Sequence, residues 1–127
     1  MASDTIKKVI DWAISIPYEK PTTKWGNPNY DCASLVINAW DNFNVPVKEK
    51  GATYTGNMKE AFLETGKFEW ISYDEENVLK KGDILLNESS TTEIYIGNKL
   101  SISVDKKGKV IVSSNTKSYD GILRYID

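Results

Sequence analysis

The sequence contains no histidine and a single cysteine among its 127 residues. One cysteine cannot close an internal disulfide or build a thiolate metal cluster, and without imidazole the usual zinc and copper sites lose their commonest ligand. The same absence removes the Ser-His-Asp and Cys-His catalytic arrangements in their standard forms, because histidine is the side chain that titrates near neutral pH. Any metal would have to be a hard ion bound by oxygen atoms, and we expect no metal centre and no cofactor.

The chain also lacks a strong excess of charge and a long apolar run. Its 16 basic and 18 acidic residues give a formal net charge of −2, whereas a nucleic-acid-binding surface normally carries a basic excess. No stretch approaches the roughly 18 consecutive apolar residues of a membrane span, and the first residues show no secretory signal pattern. We expect a soluble domain that binds no nucleic acid, spans no membrane and is not exported by its own signal.

What the sequence does contain is typical of one globular domain over residues 1–127. Hydrophobic residues make up 40% of the chain and aromatic residues 11%, which excludes a disordered or collagen-like protein. The length matches one domain with an ordinary core, and no repeat, linker or low-complexity tract divides it.

The first half of the chain carries apolar residues at helical spacing. Ser3 or Asp4 caps the first helix and Pro17 ends it, while Gly66 stops the third. The stretch 18–29 is rich in Pro, Gly, Thr and Asn and is predicted to be an ordered loop. We predict a first helix that begins after its Ser3 or Asp4 cap and carries apolar residues from Ile6 to Ile16, a second helix over Cys32–Phe43 and a third over Asn57–Thr65.

After the third helix the pattern changes to short β-rich segments separated by turns. The predicted strands are Phe68–Ser72, Ile84–Leu86, Glu93–Ile96, Leu100–Val104, Val110–Ser113 and Ile122–Ile126. Glycines at Gly97 and Gly108 suit hairpin turns. Helices followed by an antiparallel meander predict an α+β domain with the helices packed on one face of the sheet.

Cys32 stands at the predicted start of the second helix. The free amides and partial positive charge of a helix N-terminus favour a thiolate, which makes Cys32 a candidate nucleophile. The alternative is a small apolar side chain on the inner face of the helix, since free cysteine is commonly buried. Asp31 is correspondingly either an N-cap or part of a binding site.

Four strings in fixed order connect this cysteine to a known family. They are Trp25-Gly26, Tyr30-Asp31-Cys32-Ala33-Ser34-Leu35-Val36, Lys81-Gly82-Asp83-Ile84-Leu85 and Glu93-Ile94-Tyr95-Ile96-Gly97-Asn98. Their order and spacing resemble the NlpC/P60 peptidoglycan cysteine peptidases over almost the whole chain. The likeness is greatest to the versions in phage lysins, in which the stretch 51–58 also has a counterpart.

The resemblance implies a papain-like α+β core in which the cysteine faces a histidine base on a strand, with a third polar residue orienting that base. It implies bacterial cell-wall stem or cross-bridge peptides as substrate, with Tyr30 and Asp31 positioning the peptide beside Cys32. Trp25 and Tyr54 are further candidates for the groove wall, with simple loop packing as the alternative. A phage-lysin-like protein would stay in the cytoplasm until released, or act at the cell wall.

The chain departs from the family at the base, where Thr91 occupies the position of the histidine. A threonine hydroxyl cannot accept a proton near neutral pH. Ser103 and Asp105 are the candidates for the third position. Glu93 shares the strand face of Thr91 and is a conceivable carboxylate base, although we expect a solvent-facing side chain there.

The resemblance, together with Thr91 at the position of the histidine, implies a Cys-His-type peptidoglycan hydrolase domain that is inactive or impaired. The alternative is a non-catalytic module that binds cell-wall peptide or a protein partner through the same groove. Ala33, which replaces the serine usual after the cysteine, puts one further hydrogen bond of the family in question.

Overall fold

A computed structural model of the protein describes residues 2–15, 32–74, 78–105, 110–114 and 119–126. These residues form three helices followed by six strands, which confirms the predicted α+β class. The elements are α1 (Ala2–Ser15), α2 (Cys32–Asp41), α3 (Thr55–Glu64), β1 (Phe68–Ser72), β2 (Ile84–Asn87), β3 (Thr91–Gly97), β4 (Leu100–Val104), β5 (Val110–Ser114) and β6 (Gly121–Tyr125).

The six strands form one antiparallel sheet in the order β1-β6-β2-β3-β4-β5. The predicted meander is correct for β2 to β5 and wrong for β6, which inserts between β1 and β2. Ile122 and Leu123 point to opposite faces of β6, and both are fully buried. A strand that is apolar on both faces is stabilised in the interior of a sheet, and this explains the insertion.

The N-termini of α1 and α3 differ from the predictions, whereas α2 begins at Cys32 as predicted and ends at Asp41, two residues before the predicted Phe43. Helix α1 already includes Ala2, so Ser3 and Asp4 lie within its first turn and are not its N-cap. Helix α3 begins at Thr55, two residues earlier than predicted, because the Asn57 side chain accepts a hydrogen bond from the backbone N–H of Tyr54, the residue that precedes the helix. At the other end of α3, Gly66 has a φ of +74° and stops the helix as predicted.

Helix α2 is buried on all sides. Every residue from Ala33 to Trp40 is buried, including the polar Ser34 and Asn38, whereas the sequence pattern predicted one buried face. The Asn38 side-chain amide donates a 2.7 Å hydrogen bond to the Ser34 carbonyl, which satisfies that polar group inside the core. The Trp40 ring lies 5.0 Å from the ring of Phe68.

The alternation of side chains along the strands gives the sheet two different faces. On the helix side, the apolar strand residues form the main core with all three helices; those of the central strands are Ile84, Leu86, Ile94, Ile102 and Leu123. On the opposite side, Leu85 and Ile122 form a smaller cluster with Tyr119. The helices pack on one face, as predicted, and the second face carries a small core of its own.

Candidate functional site

Cys32 is the first residue of α2, where the helix emerges from the core. Its thiol is free and its side chain is half-buried, whereas the eight residues after it are buried. The three candidate substrate residues nearest to it in sequence, Trp25, Tyr30 and Asp31, lie outside the described residues.

Thr91 is the first residue of β3 and is partly exposed. It pairs with Asn87 of β2, in a register that also pairs Glu93 with Leu85 and Ile94 with Ile84. Strand alternation therefore places Thr91 on the face of Glu93, and Thr92 and Ile94 on the face against which α2 packs. Thr91 is thus at the end of the sheet, on the side away from the body of α2.

The register between β3 and β4 locates the two candidates for the third polar position. Ile94 pairs with Ile102. Continued along both strands, this pairing puts Ser103 opposite Glu93 and Asp105 opposite Thr91. Ser103 is buried, and Asp105 is partly exposed immediately after β4. The pairs that the structure shows between β3 and β4 begin at Ile94 and Ile102, so these two positions follow from extending the register and are not paired residues.

Glu93 is not the solvent-facing residue that the sequence predicted. Its side chain is fully buried, and its Oε1 accepts a 2.7 Å hydrogen bond from the hydroxyl of Tyr119. Tyr119 belongs to the small core of the second face, so Glu93 points into that core. Spacing along the chain could not reveal this contact, because Tyr119 is 26 residues away and outside every predicted strand.

Hydrogen bonds join three segments next to Thr91, and nothing in the sequence pattern predicted them. The Thr55 hydroxyl donates to the Glu88 carbonyl (3.0 Å), and the Glu88 N–H donates to a carboxylate oxygen of Asp120 (2.7 Å). These bonds tie the starts of α3 and β6 to the turn that precedes Thr91. Tyr54, the remaining candidate for the groove wall, lies just before α3 and is 56% exposed.

The other end of the sheet contains an ion pair that nothing in the sequence pattern predicted. Asp83 is 1% exposed, and its two carboxylate oxygens accept hydrogen bonds from Arg124 at 2.9 and 2.7 Å. The backbone N–H of Lys80 adds a third bond to this carboxylate (2.8 Å). Hydrogen bonding to Asp83 raises the pKa of Arg124, against the opposing effect of partial burial. The pair fixes the turn before β2, which lies at the opposite end of the sheet from Thr91.

Metal ligation and membrane insertion find no support in the described part of the chain. It contains no group of three His, Cys, Asp or Glu side chains that could hold a metal ion. None of the helices described is long and apolar enough to cross a membrane.

Comparisons with known proteins give a fold relationship. No protein-family model and no curated protein matches the sequence. Among solved structures, the chain is similar to the peptidoglycan hydrolase RipB from Mycobacterium tuberculosis, with 20% identity and a TM-score of 0.68, covering 99% of this chain and 67% of that one.

Two further structures show the same relationship. A mutant of the Resuscitation Promoting Factor Interacting protein RipA has 18% identity and a TM-score of 0.73, and the match covers 99% of this chain and 64% of that one. The P60 domain of an antigen from M. avium paratuberculosis has 14% identity and a TM-score of 0.62, covering 99% and 96%. The chain therefore has the NlpC/P60 fold expected from its motifs, and it spans a little under two thirds of the RipA chain.

Proposed function

We propose that this chain is an NlpC/P60-type cell-wall domain that binds bacterial peptidoglycan peptide beside Cys32 and whose hydrolytic activity is impaired at the base. One observation carries the proposal. The fold match to solved structures, one of which is a peptidoglycan hydrolase, covers 99% of the chain. Within this fold the sole cysteine is at the start of α2, and the sequence contains no histidine. The likeness of residues 51–58 to phage lysins supports a domain that stays in the cytoplasm until released, or acts at the wall.

The missing base defines the chemical defect. In a Cys-His peptidase the base takes the thiol proton, the thiolate attacks the peptide carbonyl, and the protonated base returns the proton to the leaving amine. The Thr91 hydroxyl can donate or accept a hydrogen bond but performs neither proton transfer near neutral pH. Loss of a general base typically costs about 10²- to 10⁴-fold in rate, so we expect hydrolysis close to background.

A second candidate function, binding without catalysis, is favoured by the position of Glu93. This carboxylate was the substitute base suggested by the sequence, but it accepts its hydrogen bond from Tyr119 inside the small core of the second face. Cys32 is at the start of α2, but the Glu93 carboxylate is buried in the small core. This arrangement suits a module that binds cell-wall peptide, or a protein partner, without cleaving it.

Release of amino groups from purified peptidoglycan tests the catalytic part of the proposal. The protein itself should release amines near the background rate, and Thr91→His should raise the rate by up to about 10²- to 10⁴-fold. Ser90→His places an imidazole one residue earlier, at an exposed turn position, and is the matched control. Thr91→His combined with Cys32→Ala should return to background. No release from Thr91→His contradicts Thr91 as the position of the base.

Retention on cell-wall sacculi tests the binding part. The protein and its Cys32→Ala variant should be retained equally, because binding through the groove does not need the nucleophile. A protein that does not sediment with sacculi contradicts the proposed ligand. Sacculi stripped of stem peptides serve as the control for non-specific retention.

A further inference from the structure

The loop before α3 owes its shape to a single side chain. The Asn57 carboxamide oxygen accepts hydrogen bonds from the backbone N–H groups of Thr53 (2.9 Å) and Tyr54 (3.1 Å). Its NH₂ group donates to the Gly51 carbonyl (3.0 Å) and to the Thr53 hydroxyl (2.7 Å). This carboxamide uses both of its donors and both acceptor sites within the loop, so it fixes one backbone conformation.

That backbone holds an exposed aromatic side chain in a defined place. Tyr54 is 56% exposed, and its ring lies directly over Gly56. A Cβ atom at residue 56 would come within 2.5 Å of the ring carbon Cε2, so the absence of a side chain there is what allows this ring position. A large ring with few rotatable bonds on a fixed backbone makes contacts at a low cost in conformational entropy.

A second set of contacts fixes the loop relative to Thr91. The Thr55 hydroxyl bonds to Glu88, and Glu88 bonds to the carboxylate of Asp120. The backbone N–H of Asp120 in turn donates to the Leu86 carbonyl at 2.8 Å. The loop that carries the exposed ring is therefore hydrogen-bonded, through these segments, to the end of the sheet where β3 begins.

We infer that Asn57 is a positioning residue that presents Tyr54 as a preformed contact for cell-wall peptide, and that the Thr55–Glu88–Asp120 bonds fix this contact relative to Thr91. The inference rests on the proposed function for the identity of the ligand. An aromatic face with a phenolic edge suits a peptide, which offers aliphatic groups to the ring and amides to the hydroxyl.

Binding of variants to purified sacculi tests the role of the ring. Tyr54→Ala should weaken binding by roughly three- to tenfold, the range of an aromatic contact, and Tyr54→Phe should stay within about twofold of the parent. Gly56→Ala should weaken binding to a similar extent because the new methyl group displaces the ring. Its stability to urea should be unchanged or higher, because alanine favours the helix over glycine.

A double-mutant cycle tests whether Asn57 acts through Tyr54. Asn57→Ala should weaken binding, and Asn57→Asp, which keeps the oxygen acceptor, should fall between Asn57→Ala and the parent. In the Tyr54→Ala background, Asn57→Ala should cause no further loss. The control is Thr65→Val at the other end of α3, where the hydroxyl donates to the Phe62 carbonyl at 2.6 Å. It should lower stability and leave binding unchanged.

The outcomes separate this inference from the proposed function. If the parent protein binds sacculi while Tyr54→Ala and Gly56→Ala bind equally well, the inference is overturned and the proposed ligand stands. Losses that add fully in the cycle, or an equal loss in Thr65→Val, also overturn it, because the effect then comes from general stability. A parent protein that does not bind sacculi contradicts the proposed ligand and the inference together.

Discussion

Inside the protein, the Tyr119 hydroxyl donates a 2.7 Å hydrogen bond to the carboxylate of fully buried Glu93. The contact joins the middle of β3 to the segment that precedes β6, on the sheet face away from the helices. The hydrogen bond holds within the small core of this face the one carboxylate that the sequence offered as a substitute base. The impaired chemistry proposed for this domain therefore depends on Thr91.

The hydrogen bond from Tyr119 to Glu93 should stabilise the fold in addition to the packing of the Tyr119 ring. Tyr119→Phe removes a donor from a buried carboxylate, so we expect a loss of about 1–3 kcal/mol in the free energy of unfolding, measured with urea. Tyr73→Phe is the control, because Tyr73 keeps its ring 5.1 Å from that of Tyr119. Equal stabilities of the two variants would contradict the assigned hydrogen bond.

The Asp83–Arg124 pair should be more sensitive to loss of a partner than the exposed Lys7–Asp11 pair. Arg124→Met leaves the Asp83 carboxylate, 1% exposed, without its partner, and we expect a cost of about 3–5 kcal/mol. Lys7→Met breaks the exposed Lys7–Asp11 pair, in which the side chains are 78% and 62% exposed, and is the matched control. It should cost less than about 0.5 kcal/mol.

The Asp83–Arg124 pair also predicts how the stability of the protein responds to alkaline pH. The pKa of Arg124 is raised in the folded protein, chiefly by hydrogen bonding to Asp83. A raised pKa means that the stabilisation is present below the unfolded pKa and is lost only as the pH rises through the still higher folded value. The stability difference between the parent and Arg124→Met should therefore stay constant from about pH 7 to about pH 10. A difference that declines across this range would contradict the assignment.

Alanine substitutions at two glycines with positive φ should distinguish the cost of backbone strain from the cost of a side-chain clash. Gly66 (φ +74°) has open space where a methyl group would lie, whereas a Cβ at Gly82 (φ +90°) would approach the Ile6 side chain to 2.6 Å. Gly66→Ala should cost about 1–2 kcal/mol for the left-handed backbone alone. Gly82→Ala should cost more, and combining it with Ile6→Ala should recover part of the excess. Equal costs at the two positions would show that Ile6 does not pack tightly on this turn.

Restoring a base should reveal which polar residue supports it. Extending the observed pairing of Ile94 with Ile102 along both strands places Asp105 opposite Thr91 and Ser103 opposite Glu93. We therefore predict that, in the Thr91→His background, Asp105→Asn lowers the rate of amine release more than Ser103→Ala does. A carboxylate beside the new imidazole would also raise its pKa, so Asp105→Asn should shift the pH–rate profile of Thr91→His to lower pH. A larger effect of Ser103→Ala would assign the third position to Ser103.

The sequence by itself determined most of the helices and strands and the absence of a histidine base. Helical spacing from Cys32 onward, the two-residue period of the strands and the glycine after α3 are local signals, because each depends on neighbours along the chain. The bounds of β1 and β4 are those predicted, and the other strands differ by two residues or fewer at either end. The absence of histidine needed no structure at all.

Only the tertiary structure decided which strands pair and which polar groups are buried. The insertion of β6, the burial of Glu93 and the pairing of Asp83 with Arg124 all join residues far apart in sequence, up to 41 positions in the last case. The Thr55–Glu88 bond that positions the loop of Tyr54 spans 33 positions. Such contacts depend on how all the apolar faces of the strands and helices are buried together in the assembled sheet. The sequence pattern of any one segment is compatible with several partners, so it cannot specify them.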